Sequence, residues 1–423
     1  MNVHRPVVVG EAVASCGPPT VRVCFLYIAQ AHQTLHSLSA AVELARQRPD
    51  IAVDVAAASA DVLDYAQVVV ALLGGAPLGW RLLGPAWLRA LGGADGVPPK
   101  LPMLAANARI LSRYDVIVAP ERTTAALRRM GVSASLVYTQ HGAGDRAGPF
   151  EPRLRQFDLV FAAGAKQRDR MISEGLVTPE RCAVVGYPKF DLVDRLRPGL
   201  PKLFANDRPI VLYNPHFSPK VSSWPLWGLE VLRAFAGQQR YNLIFAPHLR
   251  LFDSRPPAKV ACLAPFLGHS GIHMDLGGTS AAIDMTYTRL ADVYVGDASS
   301  QVYEFLREPR PCLFLDPHAT VWDGDESFRH WESGPVATTP NDLVGQIDRA
   351  RRTHPAYRHS QLAAFHRTFD LTGAPASVRA ADAIASLCQL GAPRSLAAVA
   401  SGAQGRAAGE RRATSPIEGR QRL

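Results

Sequence analysis

The chain predicts two doubly wound, Rossmann-like α/β domains facing a cleft, and three observations lead there. Apolar strand-like runs alternate with helix-like stretches through the first half. A stretch rich in proline and charge, Leu196 to Pro209, then interrupts the series, and the same alternation restarts after it. Strands alternating with helices make a parallel sheet covered on both faces. A length of 423 residues is enough for two such cores.

The elements follow in order. Val21–Tyr27 reads as a buried strand and Ser37 to Arg48 as the helix behind it. Strands are expected at Ile51–Val55, Tyr114–Val118, Ala134–Tyr138, Leu159–Phe161 and Ala183–Val185. Helices are expected from Glu121 to Met130, stopped by Gly131, and from Lys166 to Ser173, stopped at Gly175. Beyond the linker, strands are expected at Ile210–Tyr213, Asn242–Phe245, Gly271–Met274, Asp292–Val295 and Cys312–Leu315. Helices cover Leu226 to Gly237 and Ser300 to Arg307. The expected boundaries are 1–195 and 209–372 for the two domains, 373–391 for a closing helix and 392–423 for a tail. That tail holds six arginines against Glu410 and Glu418, a net of +4, without hydrophobic periodicity, and reads as disordered. One stretch fits neither sheet. Leu78 to Leu91 carries Trp80, Leu83, Trp87 and Leu91 at helical spacing beside Arg81 and Arg89. It reads either as a core-facing helix kinked at Pro85 or as a face for a membrane surface.

The hydrophobic fraction of 47% and charged fraction of 20% are those of a soluble globular protein. No apolar run is long enough to cross a bilayer. Val13-Ala14-Ser15-Cys16 imitates a lipoprotein cleavage site, but Pro6 and Glu11 break the segment before it, so export is not expected. The six cysteines are scattered, which suits reduced thiols in a cytosolic protein rather than a zinc site or a disulfide framework. A net charge of +9 suggests anionic partners such as nucleotide phosphates or lipid headgroups. Scattered basic residues and the lack of any recognised module argue against nucleic acid.

Three strands end in residues able to do chemistry at the edge where open α/β sheets bind ligands. Tyr138-Thr139-Gln140-His141-Gly142 places an imidazole, able to act as a base near neutral pH, beside a glycine that leaves room for a substrate. Phe245-Ala246-Pro247-His248 ends a second strand in the same way. Gly296-Asp297-Ala298-Ser299-Ser300 ends a third and opens a helix, offering N–H groups and hydroxyls to a phosphate or diphosphate. Glu304, one turn on, shares a face with Ser300 and is placed to accept from ribose hydroxyls. Each feature also has a plainer reading: His141 as a loop residue, Asp297 or Ser299 as a helix N-cap.

Taken in order, His141-Gly142, Gly186-Tyr187-Pro188-Lys189-Phe190-Asp191, Tyr213-Asn214-Pro215, Pro247-His248 and Asp297-Ala298-Ser299-Ser300 resemble the CDP-glycerol glycerophosphotransferases. These are the teichoic-acid primases and polymerases, with a GT-B-type fold. The resemblance runs from about Tyr138 to Arg379 and includes Phe369-Asp370-Leu371-Thr372-Gly373-Ala374. It implies that His141 is a catalytic histidine in an acceptor-side first domain and His248 a second essential histidine near the donor phosphates. It likewise implies that Asp297, Ser299 and Ser300 form the donor-phosphate turn in a nucleotide-donor second domain. Ala298 stands where the family usually has an aromatic residue. His216, after Pro215, stands where members commonly have threonine followed by Trp and Arg, and is grouped with the donor-binding residues. The transferred group is therefore left open among glycerol phosphate, another polyol phosphate and a sugar.

The resemblance implies transfer of a polyol phosphate from a CDP-activated donor to a hydroxyl of a cell-surface glycan or lipid-linked acceptor, releasing CMP. His141 takes the hydroxyl proton in this scheme, and no metal or cofactor is required. Asp323-Gly324-Asp325 imitates a metal-binding Asp-x-Asp but reads as a turn. A cytoplasmic enzyme, peripheral on an anionic inner membrane face, fits lipid-linked acceptors. Two alternatives share the frame: a nucleotide-sugar glycosyltransferase or UDP-N-acetylglucosamine 2-epimerase, and a non-catalytic nucleotide-binding scaffold.

Overall fold

The computed structural model describes residues 21–93, 96–146, 150–196, 199–252, 260–277 and 279–389. The expected disordered tail, and Cys16 with its lipoprotein-like context, lie outside these residues. The first sheet has seven strands: β1 (Val21–Tyr27), β2 (Ile51–Ala57), β3 (Leu78–Leu82), β4 (Val116–Ala119), β5 (Ser135–Tyr138), β6 (Leu159–Ala162) and β7 (Cys182–Val184). The second has six: β8 (Ile210–Asn214), β9 (Asn242–Phe245), β10 (Ile272–Met274), β11 (Val293–Gly296), β12 (Cys312–Leu315) and β13 (Val336–Ala337). Their orders are β3-β2-β1-β4-β5-β6-β7 and β10-β9-β8-β11-β12-β13, with parallel pairing throughout. Two parallel sheets with helices on both faces are the doubly wound architecture expected, arranged as in GT-B-type folds. Continuous apolar runs produce it, because a strand covered on both faces has no polar side. Val116–Ala119 and Ser135–Tyr138 bury every residue.

Strand order reverses between β1 and β4 in one sheet and between β8 and β11 in the other. Ligand crevices open at such points, outside the carboxyl ends of the strands. The chain closes by returning to the first domain. After the long helix Leu343–Thr368, the helix Ala376–Gln389 packs against the helices Leu38–Gln47 and Pro188–Leu196. Gly186 permits the crossing. Its φ is +82°, and a Cβ there would lie 2.6 Å from the Asp370 carbonyl oxygen and 3.0 Å from the Ala376 Cβ. Tyr187 and Phe190 each pack against Phe369 with ring centroids 4.8 Å apart, the first tilted and the second edge-on. The Gly186–Asp191 and Phe369–Ala374 motifs therefore meet as an interdomain joint.

The structure corrects the reading of Leu78 to Leu91. Leu78–Leu82 is the edge strand β3, paired with Val53–Ala57, and only Ala86–Arg89 is helical, after a cis Gly84–Pro85 bond. Trp80 is half-buried against the first core, whereas Trp87 is 66% exposed. An edge strand covered on one side tolerates the mixed Leu-Gly-Trp-Arg-Leu pattern that helical spacing had seemed to explain. The five described cysteines, Cys24, Cys182, Cys262, Cys312 and Cys388, are free thiols. Among the described residues no helix is long and apolar enough to cross a membrane.

Candidate functional site

His141 sits just beyond β5, on a loop held under strain. Gln140 adopts φ +61°, a left-handed conformation that costs a non-glycine residue on the order of 1–3 kcal/mol. Three buried hydrogen bonds hold it there. Gln140 Nε2 donates to the Phe161 carbonyl (2.7 Å), and Gln167 Nε2 donates to Gln140 Oε1 (3.0 Å) and to the Gly142 carbonyl (2.9 Å). Gln167 is fixed in turn by the Ala163 N–H (2.8 Å).

The partners of His141 and His248 settle their tautomers. His141 Nδ1 lies 2.7 Å from the Pro120 carbonyl, which only accepts, so Nδ1 carries the proton and Nε2 keeps its lone pair. Burial lowers the His141 pKa below its ordinary value, while the Glu121 charge and the Pro120 bond pull against that shift. The Glu121 carboxylate is held by Lys100 Nζ (2.7 Å) and Gln33 Nε2 (2.9 Å). His141 Nε2 thus offers a lone pair, with the Glu121 charge behind the ring to favour an imidazolium.

His248 is the opposite tautomer, since the Arg250 N–H donates to its Nδ1 (3.2 Å) and leaves Nε2 to carry the proton. His216 faces a donor at each nitrogen, the Ser218 N–H at Nδ1 (3.0 Å) and Arg146 at Nε2. Burial first, then neighbouring arginines, push the His216 pKa down to about 2 and that of His248 to about 3. Their rings lie 5.2 Å apart at the ends of β8 and β9. His248 is thus an N–H donor, suited to a developing negative charge and unsuited to proton abstraction.

The turn after β11 divides its labour. Asp297 is buried, and its carboxylate accepts from the N–H groups of His216 (2.9 Å), Ser223 (2.6 Å) and Ala298 (2.6 Å) and from the Ser223 hydroxyl (2.8 Å). Burial raises its pKa against these bonds. Asp297 therefore positions the β8 and β11 loops instead of facing a ligand, and it is not an N-cap. Ser299 is buried, its Oγ accepting a long bond from the Gln301 N–H (3.4 Å). Ser300 is half-buried and faces the first domain, where a Cβ on Gly142 would lie 3.4 Å from its Oγ and one on Gly144 2.8 Å from its Cβ. The helix is shorter than expected, Gln301–Phe305.

Glu304 is corrected most plainly. It accepts from Lys189 Nζ at both oxygens (2.7 and 2.9 Å) and from the Tyr187 hydroxyl (2.8 Å), all buried. Read as a ribose acceptor, it instead closes an ion pair between the domains. A second interdomain pair was not foreseen. Asp145 accepts from Lys166 Nζ (2.8 Å), the Tyr303 hydroxyl (2.6 Å) and His330 Nδ1 (3.1 Å); against the upward push of burial, His330 and Lys166 hold its carboxyl well below the usual range. His330 Nε2 and Trp331 Nε1 both donate to the Asp297 carbonyl (2.7 and 2.8 Å), so this cluster reaches the turn itself.

Two further residues went unnoticed in the sequence. His32 lies just beyond the end of β1 with its ring centroid 6.2 Å from that of His141. A strand running into a histidine was a signal it shared with His141. Arg146, five residues after His141, reaches His216 across the cleft. Asp323-Gly324 forms a turn, and Asp325 caps the following helix by accepting from the Ser327 N–H (2.8 Å). Among the described residues no group of three or more His, Cys, Asp or Glu is placed to hold a metal ion.

Fold and cleft together define a two-domain α/β protein of GT-B-like architecture. No family model and no curated protein matches the sequence. Among solved structures, the wall teichoic acid polymerase TagF aligns with a TM-score of 0.57 at 15% identity, over 87% of this chain and 88% of that one. A putative UDP-N-acetylglucosamine 2-epimerase from Listeria monocytogenes aligns at 0.52 and 14%, over 87% of this chain and 96% of its own. The S. aureus MnaA–UDP complex aligns at 0.55 and 12%, over 86% and 95%. Identities this low speak to fold alone.

Proposed function

We propose that the protein transfers a polyol phosphate from a CDP-activated donor to a hydroxyl of a glycan or lipid-linked acceptor, releasing CMP. The observation that carries this reading is the division of tautomers. His141 on the first domain offers a lone pair, and His248 on the second offers an N–H beside a serine turn. His141 Nε2 removes the acceptor proton. The oxygen attacks the phosphorus next to the polyol, and the bond to CMP breaks. His216, His248 and the turn at Ser299 and Ser300 take up charge on the diphosphate. Each such donor contributes on the order of 3 kcal/mol to lowering the barrier. The likeness to TagF supports CDP-glycerol as the first donor to try. Incubation with CDP-glycerol and a panel of hydroxyl acceptors, read as CMP release, tests it; no CMP above background with any acceptor counts against it.

A second reading rests on the equally broad likeness to 2-epimerase structures. It makes the donor a UDP-sugar, and UDP formation in the same assay selects it. The exposed Trp87 and the charge of +9 support reversible attachment of a cytoplasmic enzyme to an anionic membrane face. Flotation with anionic liposomes at low salt, comparing wild type with Trp87→Ala, tests that, and a wild type left in the soluble fraction rejects it.

A further inference from the structure

Hydrogen bonding around His216 does not close within the chain. The Ser218 N–H is 3.0 Å from Nδ1, and Arg146 Nη1 is 2.5 Å from Nε2. A neutral imidazole has one lone pair and one N–H, so it can satisfy one of these two donors. Either tautomer therefore leaves one N–H facing another, Nδ1–H against the Ser218 N–H or Nε2–H against the guanidinium. An imidazolium fits worse, since both nitrogens would then oppose donors and a second positive charge would stand against the arginine.

Arg146 has no better partner among the described residues. No carboxylate there lies within ion-pair distance of it, and Asp297, whose charge acts on it, spends its oxygens on four other bonds. Burial lowers the Arg146 pKa, the signature of a cation short of compensation. The same loop presents Gly142 and Gly144 to Ser300, so the guanidinium emerges from a loop that touches the second domain.

We propose that Arg146 and the Nε2–H of His216 form an anion clamp, one jaw from each domain, that takes a non-bridging oxygen of a nucleoside diphosphate donor. One phosphate oxygen accepts from both groups and removes the donor–donor opposition. An arginine hydrogen-bonded to phosphate is among the stronger polar contacts available. The clamp also explains why His216, next to Pro215 on the β8 loop, is braced by Asp297 through its own backbone N–H. The identity of the anion as a nucleotide diphosphate rests on the proposed function; the clamp itself rests on the geometry.

Calorimetry on the full chain with inorganic pyrophosphate, CDP and cytidine tests it, using wild type, Arg146→Met and Arg146→Lys. The expected result is a loss of about 10- to 100-fold in affinity for pyrophosphate and CDP in Arg146→Met, with cytidine unchanged and Arg146→Lys intermediate. In ¹⁵N spectra of the histidine rings, pyrophosphate should shift the His216 Nε2–H signal of the wild type and not that of Arg146→Met. Unchanged pyrophosphate affinity in Arg146→Met overturns the clamp, as does an equal loss for cytidine and CDP. Arg146-dependent binding of pyrophosphate without binding of CDP would keep the clamp and reject the donor assigned above. A wild type that binds neither overturns both.

Discussion

A Cβ added to Gly144 would lie 2.8 Å from the Cβ of Ser300, so the loop carrying His141 and the turn after β11 are in contact across the domain boundary. The His141 loop and the candidate phosphate turn share one wall, and that wall has no space for a methyl group at Gly144. Gly144→Ala should push them apart and cost about 1–3 kcal/mol in overpacking. The expected outcome is a marked fall in kcat/KM with a modest fall in Tm. Gly142→Ala meets only the Ser300 hydroxyl oxygen at 3.4 Å and should be milder. Equal effects from the two would mean the contact does not organise the site.

Replacing Ser299 and Ser300 together with alanine should weaken CDP binding more than cytidine binding. Ser300 is the half-buried hydroxyl facing the cleft loop, and Ser299 supports the turn beneath it. The loss should be about tenfold for CDP, read by calorimetry. An equal loss for both ligands would remove the turn from phosphate binding.

The Lys189–Glu304 pair joins the domains in a buried setting. Removing either charge leaves the other uncompensated and should cost about 3–5 kcal/mol. Lys189→Met with Glu304→Leu removes both charges and should recover most of that loss, apart from the unpaired Tyr187 hydroxyl. Urea unfolding of the four proteins gives the coupling energy, and additive losses would contradict the pairing.

Acid should destabilise the fold from an unusually high pH. His32, His36, His141, His216 and His248 all have folded pKa values lowered chiefly by burial. The unfolded chain therefore binds protons first. Stability is complete above about pH 6.5 and falls as the pH drops below it, by up to about 1.4 kcal/mol per unit for each group. Urea midpoints at pH 7.5 and 5.5 should differ clearly. A flat profile between them would mean these rings are not held neutral.

What the sequence revealed and what it hid follow from the range of the interactions. Buried parallel strands are local and apolar on both faces, so β1, β4, β5, β8, β9, β11 and β12 were legible as runs. β3 was not, because Trp80, Leu83 and Trp87 fall by chance at helical spacing; Pro85 was the better guide, since the strand ends just before it. His141, His248, Ser299 and Ser300 stood out as strand ends and lie just beyond the carboxyl ends of β5, β9 and β11. Glu304 was on the expected face, but its partners Lys189 and Tyr187 lie more than a hundred residues away. Asp145 with His330 and Arg146 with His216 are equally long-range, and no local pattern announces which residue will close such a pair. The tautomers are further still from the sequence, since they depend on single carbonyls and N–H groups such as those of Pro120 and Arg250.

The central claim is that His141 Nε2 is the base for transfer from a CDP-linked donor. Single-turnover release of CMP from CDP-glycerol, with an acceptor that supports turnover, tests it most directly when wild type is compared with His141→Ala. The predicted result is a fall of about 10²–10⁴-fold in the rate, with CDP affinity within about twofold of wild type. A variant that releases CMP at close to the wild-type rate would contradict it.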